Sequence, residues 1–373
     1  MRLLLLADLH LGVRLPGWGE HAGPRREAIR TAWRDAVNAA LDPSRAVDAV
    51  LVAGNLFDSP DPEASDLDPV RDGLARLVEA GKPVVILPGS YDGFACSRTI
   101  YRDGLLPRGV RVVDWAEPEA IELAAGGETL HLYSFTFVPG RSIADPFRAL
   151  RRKEAEGAHV GLVAAVLEGG SRFAWGTPRV APEELAATGL DLVVAGGSRS
   201  FTEVRQGSTL IVDPGSPVGL GPCEAGDRTR VIAAVGPDGV SIEKEILEAA
   251  PIRDLTLDVA AGAGERFRTA LHGAAAARVR LVGKVDRAGR PGEVRAEVEG
   301  MGVPVFVEDE TELVPGADEL RAWGGEESVP GRFLEDLRAR RDAASGPEER
   351  RALSRAMVLG LTALHEVAAF HVD

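Results

Sequence analysis

Cysteine is nearly absent: the 373 residues include two, Cys96 and Cys223, without CxxC spacing or a third partner. That argues against a disulfide framework or a structural zinc site and fits a reducing compartment. Long apolar runs are missing too. The run from Leu3 to Ala7 is too short for a signal-peptide core and stops at Asp8, and no other stretch approaches the roughly 20 apolar residues of a membrane span. The expectation is a soluble cytoplasmic protein with no membrane partner. Positive charge is in deficit, with 43 Lys and Arg against 57 Asp and Glu and a formal net charge of -14. Phosphate neutralisation needs clustered basic side chains, so this balance argues against tight autonomous DNA binding and leaves room for contact through local arginines or a partner subunit.

What is present is an ordinary globular composition, 45% hydrophobic and 27% charged, in a chain long enough for one large α/β domain and a smaller unit. The apolar run Leu3 to Leu6 ends at Ala7-Asp8-Leu9-His10, the pattern of a buried parallel strand with functional groups at its C-terminal end. A helix opening at Pro24 puts Ile29, Trp33, Ala36, Val37 and Ala40 on one face. Val47 to Ala53 leads into Gly54-Asn55-Leu56-Phe57-Asp58, a helix is expected near 67–80, and Val84 to Leu87 leads into Pro88-Gly89-Ser90-Tyr91-Asp92. Further strands are expected near 110–114, 129–135 and 159–164. Two more, Leu192 to Ala195 and Thr209 to Val212, end in Gly196-Gly197-Ser198-Arg199 and Asp213-Pro214-Gly215-Ser216. Ligands gather at the carboxyl ends of strands in α/β sheets, so these polar turns should share one cleft. Beyond Pro251, strands near 255–259, 279–285 and 305–307 alternate with helices near 265–275 and 293–300. From Gly331 two helices follow, carrying the apolar positions Phe333, Leu334, Leu337, Leu353, Met357, Leu361 and Leu364.

In order and spacing, Asp8-Leu9-His10, Gly54-Asn55-Leu56-Phe57-Asp58, Gly89-Ser90-Tyr91-Asp92, the strand ending near Ala164, Gly196-Gly197-Ser198-Arg199 and Pro214-Gly215-Ser216 resemble the motif series of calcineurin-like metallophosphoesterases. The nearest branch is similar to the SbcD-type DNA double-strand-break repair exonucleases and their YhaO-like relatives. The resemblance implies an α/β fold, a β-sandwich flanked by helices in four α/β/β/α layers. It further implies a metallophosphoesterase-like domain over 1–248, a small α+β capping domain over 252–325 and a C-terminal helical segment over 329–373. By resemblance that last segment docks on an SbcC-like coiled-coil ATPase, with Phe333, Leu334, Leu337, Leu353, Met357 and Leu361 as its apolar face. Ordinary core is the alternative for that stripe. DNA contact through the complex and a homodimer are the other partners implied.

The resemblance also implies two divalent ions such as Mn2+, held by D-x-H, G-D-x-x-D, G-N-H-D, a lone His and G-H-x-H. A bridging carboxylate must balance both cations while His, Asp and Asn fill the remaining positions. Here Asp8 and His10 stand, but the bridging position is Asn55, the G-N-H-D Asn is Ser90 and the phosphate-contacting His is Tyr91. The lone His is Ala164, and the G-H-x-H histidines are Gly197 and Arg199. One vestigial site would keep Asp8, His10 and Asn55, the other Asn55 and Ser90, so the expected cofactor is none or one weakly bound ion. Asp8 and His10 are then either a retained polar pair or a mononuclear site. Asp58 and Asp92 are expected behind the ligands. Arg199 is either a solvated arginine or a cation replacing metal, its guanidinium expected on Asp8 or Asp58. Two readings from different classes follow: a catalytically degenerate subunit, and a residual single-metal phosphodiesterase or exonuclease. A small-molecule phosphatase is a third.

Overall fold

The computed structural model describes residues 1–94, 99–102, 104–138, 140, 145–168, 176–247, 250–260, 264–285, 296, 298–300, 302–316, 321 and 327–369. Cys96 and His371 lie outside them. Two compact units are formed, Met1–Pro251 and Ile252–Asp373.

In the first unit, strand β1 (Arg2–Leu6) is buried on both faces, and the period of two sends Leu3 and Leu5 to one side and Leu4 and Leu6 to the other. It pairs in parallel with β2 (Ala49–Ala53), which is followed outward by β3 (Val84–Leu87) and β4 (Val110–Val112). On the other side of β1 run the antiparallel strands β13 (Thr229–Gly236) and β14 (Gly239–Ile246). A second six-stranded sheet has β6 (Glu128–Ser134), β7 (Ala158–Ala164), β10 (Leu192–Gly196) and β12 (Thr209–Asp213) parallel at its centre. The antiparallel edges are β5 (Glu119–Ala125) and β11 (Thr202–Gln206). A short pair, β8 (Val166–Leu167) and β9 (Arg179–Val180), stands apart.

Leu3, Leu5, Leu51 and Val85 of the first sheet share one core with Leu132, Leu162, Val194 and Val212 of the second, so the sheets pack face to face. The outer face of the second sheet, with Val163, Val193 and Ile211, is covered by Phe147 of α3 (Pro146–Ala149) and Leu185 of α4 (Pro182–Ala186). Helices α1 (Ala22–Leu41) and α2 (Ala64–Glu79) lock together where the Trp33 indole donates to the Pro69 carbonyl at 3.0 Å. The result is the α/β/β/α sandwich. The strands with continuous apolar runs stand where the sequence put them. Strands β5, β11, β13 and β14 were not expected: β5, β11 and β14 mix exposed, partly charged positions with half-buried ones, and β13 begins with Thr229 and Arg230 before its buried run.

The second unit holds a parallel three-stranded sheet of β15 (Ile252–Asp258), β16 (Ala276–Val282) and β18 (Val305–Asp309). It also holds α5 (Glu265–Leu271) and a small parallel pair, β17 (Lys284–Val285) with β19 (Glu312–Leu313). The helix expected near 293–300 falls mostly outside the described residues; Val298 is buried with Leu257, Val279 and Leu281. Helices α6 (Val329–Ala343) and α7 (Pro347–Ala369) form a hairpin in the same unit. Its seam consists of Leu334, Leu337, Met357 and Leu361 with Phe333 and Leu353 packed against them. These six residues, read from the sequence as a docking face with ordinary core as the alternative, line the seam of the hairpin, Phe333 and Leu353 only partly buried there. Among the described residues of the hairpin, the large apolar side chains that are exposed are Val329 and Leu359.

Candidate functional site

The parallel strands of each sheet deliver their terminal turns to a common edge, and main-chain hydrogen bonds then fasten one turn to another. Asp8 N donates to Gly54 O at 3.1 Å, His10 N to Asn55 O at 2.9 Å, Leu11 N to Leu56 O at 3.0 Å and Asp58 N to Leu11 O at 2.9 Å. Left-handed backbone at residues other than glycine collects here: Asp8, His10, Asn55 and Arg199 have φ between 50° and 59°. Such conformations persist only where surrounding contacts over-determine them, and they cluster at functional sites. Gly89 is required as glycine, since a Cβ there would overlap the Asn55 side chain.

The side chains form a closed set. Asp8 and His10 are fully buried. Asn55 Nδ2 donates to Asp8 Oδ1 at 2.8 Å, and its Oδ1 accepts from Tyr91 N at 3.1 Å. His10 Nδ1 lies 2.8 Å from Asp58 Oδ1, which orients the ring. Its Nε2 is 3.6 Å from Asp8 Oδ1 and has no hydrogen-bond partner among the described residues. Tyr91 packs edge-on against the His10 ring, centroids 4.8 Å apart. Asp92 is buried and accepts from Gly89 N at 2.7 Å, Phe57 N at 3.0 Å and the Tyr101 hydroxyl at 2.7 Å. Ser90 is turned aside, its hydroxyl 3.0 Å from that of Thr177.

Arg199 does not place its guanidinium on Asp8 or Asp58. Its backbone N donates to Asp8 Oδ2 at 3.2 Å, while Nη1 pairs with Glu224 Oε1 at 3.1 Å. At φ 59° the left-handed backbone aims the amide at Asp8 and sends the side chain past it. The guanidinium still acts on Asp8 through charge. Burial alone would raise the Asp8 pKa, but the adjacent His10 ring, the Asn55 amide and the charge of Arg199 hold it below the usual carboxylate value. Burial pulls the His10 pKa down, but the hydrogen bond to Asp58 and the adjacent Asp8 carboxylate outweigh it and raise the value overall. Asp213, at the end of β12, is buried close enough to feel Asp8. Burial first and the Asp8 charge second push its pKa up to about 7. Charge and proton are thus divided between two buried carboxylates, with Asp8 ionised and Asp213 holding a proton into the neutral range. Asp213 accepts from Ser198 Oγ at 2.6 Å and from Gly215 N at 2.8 Å.

Sequence reasoning missed Asp213 as a site member, although it stood visibly at a strand end, and missed Glu224, for which the sequence carried no signal. Glu224 comes from a 3-10 turn, Pro222–Glu224, beyond the last motif.

The family model for calcineurin-like phosphoesterases matches residues 1–198, the whole series of turns from β1 to β10. The chain belongs to that family. Over 91 residues it is 36% identical to the DNA double-strand break repair protein Mre11 of Aeropyrum pernix, covering 24% of this chain and 21% of that protein. Over 92 residues it is 36% identical to the Mre11 of Methanosarcina mazei, covering 25% of this chain and 14% of that protein. The matched segments thus span about a fifth or less of these relatives. Among solved structures, vacuolar protein sorting 29 from Cryptosporidium parvum aligns over 66% of this chain and 97% of its own at 14% identity, with a TM-score of 0.29.

A phosphoesterase of this family depends on metal, and the side chains present do not fit a metal pair. Asp8 already receives the Asn55 amide on one oxygen and the Arg199 amide on the other. The Asn55 nitrogen facing Asp8 is a donor, which opposes a cation where a bridging carboxylate would attract two. His10 Nε2 is the one orphaned buried donor or acceptor of the set. Among the described residues no group of three or more His, Cys, Asp or Glu is placed to hold a metal ion. Among them too, no helix is long and apolar enough to cross a membrane.

Proposed function

We propose that this chain is a catalytically degenerate homologue of SbcD-like DNA double-strand-break repair nucleases, serving as a binding subunit beside a coiled-coil ATPase. The observation that carries the reading is the Asn55 amide on Asp8, a hydrogen bond standing where a two-metal centre needs a bridging carboxylate. The partial likeness to Mre11 proteins favours the nuclease branch over small-molecule phosphatases. In this reading residues 1–248 are the phosphoesterase-like domain, 252–325 the domain that corresponds to the family's capping domain, and 329–373 the segment that docks the ATPase. DNA is met through the complex, and a homodimer is part of the same proposal. The test is hydrolysis of DNA ends and of bis-p-nitrophenyl phosphate by purified protein with and without Mn2+. The expected result is no metal-dependent turnover, and robust turnover abolished by His10→Ala would overturn the reading. Co-expression with an ATPase encoded beside it is expected to yield a complex lost on deleting 329–373.

A second reading rests on the orphaned His10 Nε2 beside Asp8: one divalent ion supports residual phosphodiester hydrolysis. Metal analysis after mild dialysis decides it, since less than about a tenth of an equivalent of Mn, Fe or Zn leaves no cofactor for that chemistry.

A further inference from the structure

A cavity of about 480 Å³ opens beside the site, lined in part by Leu15, Asp58, Tyr91, Arg199, Leu220 and Glu224. The guanidinium of Arg199 faces it, 23% exposed and 5.7 Å from the centre of the Tyr91 ring. Planar and doubly donating, a guanidinium at the position of a lost metal ligand would be expected to take a phosphate oxygen. Instead it is occupied from within. Glu224 Oε1 sits on Arg199 Nη1, and Glu224 Oε2 accepts from Ser216 Oγ at 3.0 Å and Leu220 N at 3.1 Å. Arg228 clamps the arrangement from behind, donating to the main-chain carbonyls of both Arg199 and Glu224. The Glu224 side chain is 8% exposed, so the anion is held in place before any ligand arrives.

We propose that Glu224 is an internal anion that occupies, on Arg199, the position of an incoming phosphate oxygen and so closes this cavity to anionic ligands. Two physical arguments carry it. Glu224 Oε1 takes the Nη1 donor that a phosphate oxygen would use, so a phosphate reaches that donor only by displacing the carboxylate. A tethered and pre-oriented carboxylate also has an effective concentration that free phosphate at physiological levels does not match. Asp58, the second carboxylate lining the cavity, adds repulsion. The inference rests on the reading that no metal pair occupies the site, because divalent cations would draw phosphate whatever Glu224 does.

The test is calorimetric titration of the full chain with inorganic phosphate in EDTA. Wild type is expected to show no saturable binding up to about 10 mM, Glu224→Gln to bind at least about tenfold more tightly, and Glu224→Gln with Arg199→Ala to lose that gain. A folded Glu224→Gln protein that still refuses phosphate overturns the proposal, as does wild type binding as tightly as the variant. Should Glu224→Gln fail to fold, Ser216→Ala removes one hydrogen bond from the carboxylate and leaves both charges in place. It is expected to admit phosphate more weakly than a freed Arg199 would, and no gain over wild type overturns the proposal. Mn2+-dependent hydrolysis by wild type would end the degenerate-subunit reading and leave these metal-free titrations to judge Glu224 separately.

Discussion

The two sheets have contributed differently to the cleft they share. The turns after β1, β2 and β3 carry Asp8, His10, Asp58 and Asp92, each engaged by hydrogen bonds, whereas β7 and β10 bring Ala164, Gly197 and Arg199 to the same edge. The difference follows from what each side chain holds besides a ligand. Asp92 satisfies two backbone N–H groups and a buried hydroxyl, so removing it would leave donors stranded. A histidine at position 164 would serve chemistry alone, and alanine there strands nothing.

The most damaging way to break this contrast is Asp92→Ala, which orphans Phe57 N, Gly89 N and the Tyr101 hydroxyl together. A loss of about 3–5 kcal/mol is expected in urea unfolding, and a loss below about 1 kcal/mol would show that the first half is not held as described. Next comes Asn55→Asp, which returns a carboxylate to a position 2.8 Å from Asp8 Oδ1. In EDTA the like charges are expected to lower stability by about 2–3 kcal/mol, and Mn2+ to restore part of it, while wild type responds to neither. Arg199→Ala probes the other half. Glu224 keeps Ser216 and Leu220 N as partners, so the expected loss is about 1–2 kcal/mol by thermal or chemical unfolding.

The last effect is on pH dependence. The Asp213 pKa of about 7 in the folded chain lies above its ordinary 3.8, so the folded state holds the extra proton between those values. Its contribution is present in full below about pH 4 and is lost as pH rises through about 7. Asp213→Asn is expected to flatten the decline of stability across that window, and an unchanged slope would remove Asp213 from the account.

Much of this was legible. The six strands that aim turns at the cleft are continuous apolar runs broken by a polar cluster, a local signal that survives without tertiary context. Asn55, Ser90, Tyr91 and Ala164 could be read as departures because their neighbours kept the spacing. The edge strands could not, since β5 and β14 owe their conformation to pairing rather than to their own apolar residues. Arg199 was legible as an added cation and illegible as half of an ion pair, because Glu224 reaches it across 25 residues from a turn with no motif. The helical stripe Leu334, Leu337, Met357 and Leu361 read equally as interface or seam, and periodicity alone does not distinguish a face that meets a neighbour from one that meets its own hairpin.

The turns after β1 and β2 are joined through main-chain atoms, down to the isolated bridge between Leu11 and Phe57. Such bonds ask nothing of side-chain identity, so the architecture of the cleft is inherited independently of its chemistry. Exchanging the side chain at one of these positions therefore leaves the main-chain bonds between the turns in place. The dimensions of the cleft are thus set by the main chain, and Glu224 and Arg199 meet in it through side chains alone.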